Sequence, residues 1–87
     1  MNIVFYPRFE RGYKRLDPQI RRIAHERIAL FEQDPFDRRL RTHELRGTLK
    51  GVWSFSVDAR LRVLFVFLDE RRTRVALLDI GTHRLYS

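Results

Sequence analysis

The chain has 87 residues, enough for one domain and not for two, and its 44 % hydrophobic and 13 % aromatic content supports a packed core rather than disorder. It has no cysteine, which excludes a disulfide scaffold, a thiolate metal site and a cysteine nucleophile. Lys and Arg number 18 against 11 Asp and Glu, a formal charge of +7, and nearly all the excess is arginine, whose flat fork of donors suits phosphate and base stacking. That balance points to a polyanionic partner, nucleic acid first, with solubility through net charge as the plainer reading.

The opening stretch MNIVFYPRFERGYKR has no long apolar run, so we expect neither a signal peptide nor a membrane anchor, and a cytoplasmic chain. Residues 2–6 (NIVFY) are apolar and β-prone and Pro7 closes them, which predicts a first strand. Phe9, Tyr13 and Leu16 recur at helical spacing and predict a short helix over 8–16, which Gly12 weakens.

Asp17-Pro18 is a helix start: the carboxylate can cap free amides and proline suits the first helical position. Ile20, Ile23, Ala24, Ile28 and Phe31 then form one apolar stripe, and Asp34-Pro35 ends the helix. His25 falls on its polar face and reads as a surface residue.

After the charged loop DPFDRRLRT the period changes to two. Residues 43–46 form a candidate strand. In 52–58, Trp53, Phe55 and Val57 alternate with Ser54 and Ser56. Residues 60–68 carry Leu61, Val63, Phe65 and Phe67 on one face and Arg62, Leu64 and Val66 on the other, so this strand is expected at the centre of the sheet, covered on both sides for much of its length. Residues 70–73 read as a turn, 75–80 as a last strand, and GTHRLYS as a tail. The order β-α-α-β-β-β-β implies an α+β domain over 1–87, with two helices on one face of a mainly antiparallel sheet of four to five strands.

Register carries the functional argument. If Trp53, Phe55 and Val57 share a face with Leu61, Val63 and Phe65, then Ser54 and Ser56 share the other with Arg60 and Arg62. A mid-strand charge at Arg62 needs a reason. It can bind phosphate, snorkel to solvent, or pair with Asp58 or Asp79. Phosphodiester transesterification needs a base for the 2′-hydroxyl, a cation for the phosphorane and an acid for the leaving 5′-oxygen. His43, His83 and an arginine could meet those needs around one phosphate near neutral pH, although two histidines in a small protein are more often plain surface residues. No ligand set for a metal and no glycine-rich phosphate loop is present, so no cofactor is expected. Trp53 reads equally as core or as support beneath a site.

The stretch THELRGTLKGVWSFSVDARLRVLF and the terminal LLDIGTHRLYS, together with FYPRFERGYKRLDP and the DPF loop, resemble the RelE/ParE toxin superfamily. They come nearest to the YafQ- and YoeB-like mRNA interferases. The resemblance implies a RelE-like fold and a toxin of a type II toxin–antitoxin system: an endoribonuclease that cleaves mRNA, ribosome-dependently, and so inhibits translation. It implies His43 as catalytic base, Arg62 on the scissile phosphate, His83 as general acid and Tyr86 stacking on a base or aiding proton transfer. Arg46, Lys50 and Arg60 become supporting RNA contacts, with Arg60 near where YafQ-like members carry another histidine. The implied partners are mRNA and ribosome and a cognate antitoxin, with DNA reached only through the toxin–antitoxin complex. The superfamily also holds ParE-type toxins that inhibit DNA gyrase without nuclease residues. A gyrase inhibitor and a non-toxic, antitoxin-binding homologue are therefore the alternatives.

Overall fold

The computed structural model describes residues 1–85. Its elements run β1 (Asn2–Phe5), α1 (Pro7–Lys14), α2 (Pro18–Gln33), β2 (His43–Glu44), β3 (Trp53–Ser56), β4 (Leu61–Phe67) and β5 (Arg74–Thr82). Short 3-10 turns lie at Arg38–Leu40, Gly47–Leu49 and His83–Leu85. The five strands form one sheet in the order β1-β5-β4-β3-β2, α+β as expected, with β4 in the middle. Residues β2 to β5 form an antiparallel meander that starts at one edge and brings β5 beside β1. The β1–β5 pair is parallel, so the sheet is mixed at that edge.

Local chemistry accounts for the helices. Asp17 accepts the Gln19 amide at 3.0 Å and Pro18 occupies the first turn of α2, the capping arrangement anticipated from Asp17-Pro18. Helix α1 persists through Gly12 because a side chain is unwelcome there. A Cβ on Gly12 would lie 2.9 Å from Cγ2 of Ile80 and 3.1 Å from its carbonyl oxygen, so the glycine lets α1 settle directly on β5.

The core lies between the helices and one face of the sheet. Phe31 of α2 is fully buried, stacked on Phe55 at 4.5 Å and edge-on to Phe65 at 4.7 Å. Phe9, Ala24, Leu40, Val57, Leu61, Val63, Val75, Leu77 and Ile80 complete it. Leu45, Leu64 and Ala76 are also buried, but outside this cluster.

Candidate nucleic-acid interface on the open sheet face

Cross-strand partners share a face of a sheet, so register fixes which side chains meet. Trp53 pairs with Phe65 and Phe55 with Val63, on the core side. Ser54 pairs with Leu64 and Ser56 with Arg62, so the serines and Arg62 share the face turned away from the helices. His43 pairs with Ser54 and joins that face from the edge strand. Across β5, Arg62 pairs with Gly81 and Leu64 with Asp79.

Two of the singled-out side chains, His43 and Arg62, therefore lie along a diagonal of the sheet. His43 is level with Leu64, Arg62 stands two residues nearer the β3–β4 turn, and His83 follows two residues after Gly81. Ordinary strand spacing puts the Cα atoms of His43 and Arg62 about 12 Å apart, a gap that an imidazole and a guanidinium turned toward each other can close onto one phosphate. The turn at His83–Leu85 folds back on the sheet: a Cβ at Gly81 would meet Leu85 at 3.0 Å, and the glycine permits that approach. His83 is exposed at the start of this turn.

His43 and Arg62 each have a defined local anchor. Nδ1 of His43 lies 3.0 Å from the carbonyl oxygen of Arg41. A carbonyl can only accept, so this nitrogen carries the proton in the bonded form, and Nε2 is left as an acceptor directed elsewhere. Arg41 itself is in the left-handed region, at φ 52° and ψ 40°, where it ends the 3-10 turn at Arg38–Leu40. That turn was not foreseen in the charged loop. Its signal is Asp37, whose carboxylate caps it by accepting the Arg39 amide at 2.9 Å.

Arg62 is bent over the β3–β4 turn. Its Nη1 donates to the carbonyls of Asp58 (2.8 Å) and Leu61 (3.2 Å), and Nη2 donates to that of Ala59 (3.3 Å). These bonds use three of the five guanidinium donors, leaving Nε–H and one Nη2–H. Neither carboxylate considered as its partner is paired with it. Asp58 accepts from the amides of Arg60 and Leu61 (2.8 and 2.7 Å), and Asp79 pairs with Arg8 at 3.4 Å. Arg60 lies in this turn, exposed, rather than on the strand beside Arg62.

Arg46 and Lys50 are exposed and flank the 3-10 turn at Gly47–Leu49, beside the β2 edge. Gly47 and Gly51 adopt φ of +70° and +95°, which explains why both ends of that turn are glycine. Glu44, which sequence reasoning passed over, ties it down by accepting the Gly51 amide at 2.9 Å. Tyr86 lies outside the described residues. Among the described residues no group of three or more His, Asp or Glu is placed to hold a metal ion, and no helix is long and apolar enough to cross a membrane.

No protein-family model matches the chain, and no curated protein matches its sequence. Solved structures match it along its length. A YoeB/ParE toxin from Agrobacterium tumefaciens superposes with a TM-score of 0.78 at 20 % identity, over 95 % of this chain and 99 % of that one. The RelBE2 toxin–antitoxin complex from Mycobacterium tuberculosis gives 0.77 at 23 % identity, over 94 % and 90 %. YafQ from Escherichia coli gives 0.75 at 16 % identity, over 99 % and 98 %. The likeness at these identities is one of architecture: the chain has the RelE-like toxin fold.

Proposed function

We propose that this chain is the toxin of a type II toxin–antitoxin pair and cleaves mRNA on the open face of its sheet. The observation that carries this reading is that His43, Ser56 and Arg62 share one face of the sheet, turned away from the helices, within the toxin fold. In the proposed reaction Nε2 of His43 takes the proton of a ribose 2′-hydroxyl. The 2′-oxygen attacks phosphorus, and the free donors of Arg62 offset the charge that grows on the phosphorane. The bond to the 5′-oxygen then breaks and His83 returns a proton to it, leaving a 2′,3′-cyclic phosphate and a 5′-hydroxyl. No step needs a metal.

Arg46, Lys50 and Arg60 ring this face and hold flanking phosphates, and Tyr86 stacks on a base near the cut. The diagonal spacing favours a substrate whose path is imposed from outside, as the ribosome imposes one on mRNA. A cognate antitoxin binds the chain and covers the same basic surface; the RelBE2 structure among the neighbours is itself a toxin–antitoxin complex. Inducing the protein and mapping transcripts by primer extension tests the reading, with His83→Ala as the silent control. Intact transcripts in growth-arrested cells would overturn it.

One observation favours a second reading. The Arg62 guanidinium is already occupied by three carbonyls, as a purely structural arginine would be. A gyrase-directed toxin on the same fold would leave mRNA whole and induce DNA-damage signalling.

A further inference from the structure

The β2 edge has a second basic surface on its far side. Arg27 of α2 and Arg38, Arg39 and Arg41 of the following loop line a shallow concavity of about 880 Å³ together with Phe36, Asp34 and Asp37. Its acids are spent locally. Asp37 holds Arg39 through two side-chain bonds, at 3.0 and 2.9 Å, and Asp34 accepts the Phe36 amide at 3.0 Å. Arg38 and Arg41 are exposed and neither side chain is in an ion pair or hydrogen bond among the described residues. Arg27, half-buried, lies close enough to Asp37 to act on its carboxylate through charge.

The surface is built rather than loose. Leu40 is fully buried and pins the loop to the core, and the Thr42 hydroxyl donates to the carbonyl of Pro35. At the rim Phe36 is 42 % exposed, with its ring held by Trp53, Phe67 and the guanidinium of Arg72 at 5.2 Å. Guanidinium groups carried on an anchored loop beside a preorganised, exposed aromatic ring are what a single strand of nucleic acid requires: charge for its backbone and a flat apolar face for a base. An acidic protein segment would use the charge and leave the ring idle. Arg41 stands two residues before His43, so the surface runs into the open sheet face around the β2 edge.

We infer that single-stranded RNA continues past His43, around the β2 edge, and lays its backbone across Arg41, Arg38 and Arg27 with a base against Phe36. This rests on the RNA-cleaving reading for the sheet face, and extends its substrate from a few nucleotides to a longer strand.

The test measures binding, not cleavage, with fluorescein-labelled 2′-O-methyl RNAs of four and twelve nucleotides and the full chain. In Arg27→Gln/Arg38→Gln, affinity for the 12-mer should fall about tenfold, and the slope of log affinity against log salt should shrink by about 1.4, for two lost phosphate contacts. Affinity for the 4-mer should not change. Equal losses for both lengths, or no loss for the 12-mer, would overturn the inference. So would loss of poly-glutamate binding with RNA binding kept, since that marks a protein-docking face. If Arg27→Gln lowers the melting temperature, Arg38→Glu, on an exposed side chain, carries the same comparison. Transcripts left intact in cells, together with the length-dependent loss in the variant, would refute the nuclease and leave this surface standing.

Discussion

The carbonyl oxygen of Arg41, turned by a left-handed backbone, meets Nδ1 of His43 at 3.0 Å. A short kink in the chain thus sets the tautomer of a side chain on an edge strand. A histidine whose Nδ1–H is fixed by a carbonyl offers Nε2 as a base.

Replacing His43 by Ala removes that base, and we expect mRNA cleavage to fall by about 10²–10⁴-fold with the melting temperature little changed, since the side chain is exposed. Arg41→Gly keeps both the carbonyl and the left-handed turn and should cut at nearly the wild-type rate on short substrates. Arg41→Val strains that turn and should slow the cut. Cleavage that is indifferent to His43→Ala would remove it from the reaction.

Arg62 faces two demands, and its variants should separate them. Three bonds from a charged donor to turn carbonyls imply that Arg62→Ala costs about 2 kcal/mol of stability, a drop in melting temperature of roughly 10 °C for a domain of this size. Arg62→Lys cannot span the same three carbonyls with one ammonium, so it should recover only part of that stability. If the arginine also binds the scissile phosphate, Arg62→Lys will cut far more slowly than its remaining folded fraction allows. Thermal denaturation and single-turnover cleavage on the same preparations decide the matter.

The sequence carried much of this arrangement because parity is a strong constraint. Burying Phe55 and Val63 together leaves Ser56 and Arg62 no choice of face, and Asp17-Pro18 marks the start of α2 by chemistry that is local to the chain. What it did not carry depends on contacts between distant segments. Nothing in NIVF distinguishes a parallel from an antiparallel partner, and the orientation of β1 follows only once the meander has delivered β5 to its side. Gly12 reads as a helix breaker by propensity, whereas its reason is Ile80, 68 positions later in the chain. Alternation alone puts Arg60 on the strand, but the Asp58 carboxylate draws its amide into the turn. The direction of the Arg62 side chain was likewise invisible, since the turn carbonyls that hold it are backbone groups common to every residue.

Ser54 is fully buried, and its hydroxyl has no hydrogen-bond partner among the described residues. It lies on the sheet face turned away from the helices, paired with both His43 and Leu64, where that face is covered. A buried hydroxyl left unpaired costs about 1–3 kcal/mol, so Ser54→Ala should raise stability by about 1 kcal/mol or more, despite the small volume lost. Urea denaturation gives the answer through a higher midpoint at unchanged slope. A lower midpoint would mean that the hydroxyl finds a partner in solution.

Acid should weaken the fold through the loop that precedes β2. The Arg39 guanidinium and amide hold the Asp37 carboxyl down from 3.8 to about 2, and the Thr73 hydroxyl and the Arg74 amide lower that of Asp69. A carboxyl whose folded value lies below its unfolded one stabilises the fold above the unfolded value, and that contribution disappears as pH falls through the folded value. For Asp37 the window is therefore about pH 4 down to about 2. Both groups are only partly buried, so the effect is modest and shrinks with added salt. The urea midpoint of the wild-type chain should decline across that window. Asp37→Asn should begin lower at neutral pH and decline less steeply, because it has no proton to take up there. A variant curve running parallel to the wild type would show that the Asp37–Arg39 pair contributes nothing to stability in solution.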